Sequence, residues 1–119
     1  MQTPRHYELE VWREGISLVK LVYGISRGFP PDERFGLTAQ IRKAAVSVPS
    51  NIAEGAARGS GPDFVRFLNI ARGSLSELDT QLVIASELGF CQPDQRILES
   101  IRVLFAKLNA LITSIQRET

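Results

Sequence analysis

The stretch AVSVPSNIAEGAARGSG, residues 45–61, decides how this chain folds, because a proline stands in the middle of a helical pattern. A proline inside a helix removes one backbone hydrogen bond and clashes with the carbonyl four residues earlier, at a cost of about 3 kcal/mol. Two interpretations follow. In the first, the helix stops at Pro49, and Asn51 caps a new helix with Glu54 as its capping-box partner. In the second, one helix continues through the proline with a kink.

The apolar residues on both sides of the proline favour the second interpretation. Val48 and Ile52 stay in phase at 100° per residue, whereas a true break would usually reset that phase. We therefore predict one helix, kinked at Pro49, that starts near residue 37 or 38 and reaches about residue 58.

Three further segments repeat apolar residues at steps of three and four, which is the period of an amphipathic helix. They run from about residue 8 to 26, from the GSGPDF segment at residue 59 to about residue 88, and from about residue 93 to 116. Pro62 fits the first position of the third helix, Asp63 complements its dipole, and Gly89 fits a C-terminal stop. Short connections between four long helices predict an all-α, antiparallel up-down four-helix bundle in a single domain, residues 1–119.

The composition is that of an ordinary globular protein. The chain has 119 residues, 44% of them hydrophobic and 23% charged, and a formal net charge of +1. No apolar run reaches the roughly 18–20 residues that span a bilayer, and residues 1–14 are too polar for a signal peptide. The single cysteine, Cys91, is expected to fill a small apolar space. We expect a cytoplasmic protein without a membrane partner, and a charge of +1 gives no global basic field.

A polar strip follows the second helix beside its apolar face, and the third helix carries a similar flank. The strip consists of Gln40, Lys43, Ser47, Asn51, Glu54 and Arg58, and the flank of Ser74, Glu77 and Gln81, continued by Ile70 and Leu88. Short or neutral groups suit fixed hydrogen bonds, and the small neighbouring residues allow close helix approach. Two alternatives stay open, a solvated face or a partly buried seam within the bundle or between subunits. The candidate polar seam comprises Ser47, Asn51, Glu54, Arg58, Ser74 and Glu77.

No residue pattern predicts catalysis or a metal site. His6 is the only histidine, which argues against a histidine-based triad or metal cluster. The segment GAARGSG, residues 55–61, lacks the Lys-Ser/Thr of a phosphate-binding loop. We therefore expect no catalytic residue, no metal and no cofactor, and the alternative is a ligand-binding or enzymatic pocket around Asn51, Glu54 and Glu77.

Three segments of the chain closely resemble the four-helix-bundle family of the 23S rRNA intervening sequence protein. They are LTAQIRKAAVSVPSNIAEGAAR (37–58), FVRFLNIARGSLSELDTQL (64–82) and ELGF (87–90). The resemblance extends from about residue 7 to 115 and is densest over residues 37–88. It implies an up-down four-helix bundle that assembles as a ring-like homopentamer. Members are small bacterial proteins, some encoded inside insertions of 23S ribosomal RNA genes, and their molecular role is largely unassigned.

A related branch of proteins widens the range of expected partners. The accessory variability protein of diversity-generating retroelements is a basic pentameric barrel that binds a reverse transcriptase and nucleic acid. The resemblance therefore implies a non-enzymatic protein whose partners are copies of itself, RNA or DNA, and a protein such as a reverse transcriptase. Five copies of this chain, at +1 each, would carry only about +5. The candidate nucleic-acid contacts are Arg42, Lys43, Arg58, Arg66 and Arg72, and the candidate anchors between subunits are Trp12, Tyr23 and Phe90.

Overall fold

The structure is a computed structural model that describes residue 6 and residues 9–118. That part of the chain is all-helical, with no strand. Its helices are α1 (Glu10–Ser26), α2 (Leu37–Ala56), α3 (Gly61–Glu87) and α4 (Gln95–Glu118). A single 3-10 turn, Pro31–Glu33, lies between α1 and α2. The four predicted helices are confirmed, and the predicted start of the first, at about residue 8, lies outside the described residues.

α2 is one continuous helix with Pro49 inside it, so no second helix capped by Asn51 forms. The proline ring is buried against Gly15 of α1, where an added Cβ would lie 3.3 Å from Pro49 Cβ. The missing side chain of Gly15 thus leaves room for the ring, and the dispersion contacts offset part of the cost of the lost hydrogen bond. The helix ends at Ala56, two residues before the predicted end.

Capping groups fix both ends of α3. Ser60 is the N-cap, and its Oγ accepts the N–H of Asp63 at 3.2 Å. Pro62 is therefore the second helical residue rather than the first. A backbone N–H at that position would also have no acceptor within the helix, so the proline loses no hydrogen bond there. At the other end Gly89 has φ 78°, and the N–H of Phe90 donates back to the last turn at 2.9 Å. This is the Schellman motif, which confirms the predicted stop.

One apolar core lies between the four helices, and α1 and α3 each contact both α2 and α4. Leu18, Ile52, Leu75 and Leu104, one from each helix, are completely buried. Each such side chain contributes about 1.5–3 kcal/mol relative to an exposed position. The described residues therefore form a helical bundle held by a shared core. Among them, none of the helices combines the length and apolar composition needed to cross a bilayer.

Candidate functional site

The centre of the polar seam lies where α2 packs against α3. Ser47 Oγ and Ser74 Oγ are 2.8 Å apart. The Asn51 side chain donates to the carbonyl oxygen of Ser47 at 2.8 Å and to its Oγ at 2.9 Å. All three side chains are half-buried. Because a hydroxyl both donates and accepts, Ser47 bonds to both partners at once and joins them in one network across the helix pair.

The other members of the polar seam lie on the surface. Arg58 Nη2 and Glu54 Oε1 form an ion pair of 2.8 Å, with 43% and 52% of the two side chains exposed. An exposed pair one helical turn apart contributes only about 0.3–0.5 kcal/mol. Glu77 is exposed as well. The strip therefore divides into a half-buried network of two serines and an asparagine, and a solvated part made of the charged residues.

A groove of about 380 Å³ lies beside the serine pair. Gln40, Lys43, Ala44, Ser47, Ser74, Glu77 and Gln81 line it. Gln81 is buried, and its Oε1 has no hydrogen-bond partner in the described part of the chain. Asn51 and Glu54, two of the three residues of the predicted pocket, do not line the groove. Within the described residues, no group of three His, Cys, Asp or Glu side chains could hold a metal ion.

Two of the candidate nucleic-acid contacts converge on one aromatic ring. The guanidinium carbons of Arg58 and Arg66 lie 4.8 Å and 4.5 Å from the centroid of the Phe67 ring. Arg66 Nε also lies 3.5 Å from a carboxylate oxygen of Asp63. The end of α2 and the start of α3 therefore present two stacked cations, each accompanied by an acidic neighbour.

The other candidate contacts are separated from this pair. Arg42 Nε donates to Ser26 Oγ at 2.8 Å, and its guanidinium lies 4.5 Å from the Tyr23 ring centroid, so Arg42 links α2 to α1. Arg72 donates to Asn109 Oδ1 of α4 at 2.6 Å. Lys43 is exposed beside the groove. The structure thus brings Arg58 and Arg66 together and does not gather all five residues on one surface.

Several large apolar side chains remain exposed at the surface. Among the described residues, those more than a third exposed are Ile16, Tyr23, Phe35, Val46, Ile70, Val83, Ile84, Leu88 and Leu98. Of the candidate anchors, Tyr23 belongs to this group, whereas Trp12 and Phe90 are half-buried against the core. Phe35, at 87%, is the most exposed of the set. Phe35 could not be predicted from the apolar period, because it lies in a connection, outside any periodic stripe, and its one signal is an aromatic residue among prolines, glycines and charges.

The comparison with known families covers nearly the whole described chain. The family model described as 23S rRNA-intervening sequence protein matches residues 7–114, from before α1 to the last turns of α4. No curated protein matches the chain.

Proposed function

The chain belongs to the family of the 23S rRNA-intervening sequence protein, and from this membership we propose that it is a non-enzymatic protein that assembles with copies of itself into a ring, with five subunits expected. The observation that carries this proposal is the exposed apolar surface. Val83 and Ile84 lie in the last turns of α3 and Leu88 is its C-cap, with 54%, 43% and 59% of their surface exposed. Soluble monomers rarely leave large contiguous apolar patches in water. A second copy of the chain would bury this surface.

The arrangement of the polar seam supports a role without catalysis. A serine nucleophile needs an adjacent general base. The hydroxyls of Ser47 and Ser74 bond to one another and to the amide of Asn51, and none of these groups is a base at neutral pH. The Glu54 carboxylate is held by Arg58. This network links two helices, and neither of its serines bonds to a carboxylate within it.

We further propose that the helices run antiparallel, up and down, and that α2 bends at Pro49. The rings of Phe29 and Phe90 lie 5.8 Å apart, which supports an arrangement with the connection between α1 and α2 beside the connection between α3 and α4. The close fit of Pro49 to Gly15 supports a bend, because sharp kinks are found mainly at prolines.

Measurement of the mass in solution tests the assembly. Five chains of 13.2 kDa give about 66 kDa, which native mass spectrometry or light scattering would detect. Leu88→Arg places a charge in the exposed apolar surface and is expected to lower that mass. Gln116→Arg, near the C-terminal end of α4, is the control and should leave it unchanged. A wild-type mass of 13.2 kDa at every concentration would refute self-assembly.

Nucleic-acid association is the second candidate function, and the convergence of Arg58 and Arg66 on Phe67 favours it. Guanidinium groups bind phosphate through paired donors, and a ring would repeat the pair on every subunit. We expect an electrophoretic shift with RNA at low salt that weakens steeply at higher salt, because counterion release dominates such binding. Replacing both arginines with Gln should abolish the shift, and Arg102→Gln on α4 is the control. No shift at low salt would exclude this function.

The expectation of a protein partner such as a reverse transcriptase rests on the resemblance alone and stays a prediction.

A further inference from the structure

A single exposed aromatic residue projects from the connection between α1 and α2. Phe35 is 87% exposed, and the guanidinium carbon of Arg34 lies 5.1 Å from its ring centroid. Hydrogen bonds fix the backbone on its C-terminal side. The Gly36 N–H donates to the Glu33 carbonyl at 2.9 Å, and Glu33 Oε1 accepts the N–H of Leu37 at 3.0 Å. The ring therefore stands on a structured turn with a cation beside it.

A mostly apolar groove lies at the connection between α3 and α4. Its volume is about 290 Å³, and its apolar lining includes Ile25, Val83, Cys91 and Leu98. The groove exceeds the roughly 150 Å³ cavity that holds a benzene molecule, so it has room for one phenyl ring. Val83 and Leu98, with 54% and 39% of their surface exposed, leave it open to solvent.

The charges at the groove are negative. Asp79, Glu87 and Asp94 are among its lining residues, and no lysine or arginine is among them in the described chain. Asp94 is engaged by Arg96 and by the first N–H groups of α4. In the described part of the chain neither Asp79 nor Glu87 is within ion-pair distance of a basic group. These two carboxylates could therefore pair with a basic side chain that lies next to an aromatic side chain on another molecule.

The aromatic ring and the groove lie at the same end of the bundle. Phe29, in the connection that carries Phe35, contacts the ring of Phe90, which directly precedes Cys91 of the groove. Ile25, in the last turn of α1, also lines the groove. Two copies standing side by side at the same height would therefore bring the aromatic ring of one to the level of the groove of the other.

We propose that Phe35 of each copy inserts into the groove of the next copy, with Arg34 against the carboxylates of Asp79 and Glu87. This inference rests on the proposed self-assembly and assigns its contact. The two contacting surfaces differ, so the contact is heterologous and closes into a ring when the rotation between copies permits. Each copy then supplies one aromatic ring and one groove, which leaves neither feature exposed in the closed assembly.

The first experiment compares the masses of single variants. Phe35→Ala is expected to weaken the association by about 30-fold or more, the effect of losing an interface hot spot. Leu98→Arg should also dissociate the assembly, because it fills the groove with a charge. Ile16→Arg is the matched control on α1, since both parent side chains are 39% exposed, and it should leave the mass unchanged. A monomeric wild type would refute the proposed function. An oligomeric wild type with an equally oligomeric, folded Phe35→Ala variant would refute this inference alone.

A cross-linking experiment tests the pairing directly. Because loss of the ring weakens the association, Phe35→Cys is oxidised at a protomer concentration high enough to keep the variant oligomeric, where its thiol would lie beside the native Cys91 of the neighbouring groove. Oxidation with copper phenanthroline should give a ladder of covalent oligomers on a non-reducing gel. Adding Cys91→Ser should leave at most dimers, and Ile16→Cys in the native background should give no ladder. An oligomeric Phe35→Cys protein that yields only dimers or monomers would overturn the proposed contact, and a different occupant of the groove would then be indicated.

Discussion

Gly55 of α2 lies where α2 and α3 approach closely, and Gly55→Ala is therefore expected to destabilise the protein. An added Cβ would lie 2.8 Å from Phe67 Cβ, 3.0 Å from Phe64 Cδ1 and 3.2 Å from the Phe64 carbonyl oxygen. The Phe67 Cβ is fixed to the backbone of α3 and cannot rotate away, so the two helices must move apart.

The magnitude follows from two opposing effects. Overpacking of this kind costs about 1–3 kcal/mol. Replacing glycine with alanine gains up to about 1 kcal/mol in a helix interior, and less at Gly55, which is the last residue but one of α2. We expect a net loss of about 1–2 kcal/mol in the free energy of unfolding, equivalent to a fall of about 4–10 °C in Tm.

Two other glycines supply matched controls. An added Cβ at Gly24 or Gly73 would meet no atom within 4 Å. Both lie inside helices on exposed surface, so their alanine variants should gain up to about 1 kcal/mol. Thermal and urea unfolding, followed by circular dichroism at one protomer concentration, measures all three variants, because the Tm of an oligomer depends on concentration. A Gly55→Ala protein as stable as the wild type, with both controls stabilised, would refute the tight approach of α2 and α3.

Four further substitutions probe the core, the caps and the polar seam. Leu75→Ala empties a fully buried position and should cost about 2–5 kcal/mol in urea unfolding; a loss below 1 kcal/mol would contradict its place in the core. Ser60→Ala removes the N-cap of α3 and should cost about 1 kcal/mol, and unchanged unfolding would argue against the cap. The hydrogen bond from Arg96, supported by backbone N–H groups, holds the pKa of Asp94 below its ordinary value of 3.8. The stability that this carboxylate contributes is therefore fully present above about pH 5 and is lost as the pH falls through its folded pKa. Urea midpoints of Asp94→Asn should accordingly fall less steeply between about pH 5 and 2 than those of the wild type, and parallel pH curves would refute the assignment. Asn51→Leu removes both bonds to the serine of α2 and should lower the Tm or the assembled mass, whereas no change in either would mean that this amide merely faces water.

The positions of the helices could be predicted from the sequence because the apolar period is continuous along each of them. Val48 and Ile52 keep their phase across Pro49, and both are fully buried. The neighbour that accommodates the proline could not be predicted, because Gly15 belongs to another helix and nothing in the local pattern joins the two positions. The start of α4 differs from its prediction for a local reason. The sequence pattern places it at about Pro93, whereas Asp94 accepts the N–H groups of Arg96 and Ile97 and α4 begins at Gln95.

The candidate site was predicted in part. Helical spacing predicts that Ser47 and Asn51 share one flank of α2, and in the structure the Asn51 amide bonds to Ser47, whose hydroxyl contacts Ser74 of α3. The same spacing could not show that Glu54 turns outward to Arg58. Long basic side chains choose partners on other helices, as Arg72 does with an asparagine 37 residues away, so a linear pattern does not predict which of them stay available to a ligand.

The hydrogen bond between Ser47 and Ser74 also restricts how α2 and α3 can slide past each other. Both helices carry small buried residues, among them Ala44, Ala45 and Ala71. Small side chains oppose an axial shift of one helix only weakly, because a shift of one turn, about 5.4 Å, brings other small side chains into the same contacts. The Ser47–Ser74 bond opposes that shift, because a slipped pair would separate these two half-buried hydroxyls, at a cost of about 1–3 kcal/mol for a group left unsatisfied. One hydrogen bond between the helices thus favours a single register, and every surface that the two helices build together, including any contact between copies, depends on that alignment.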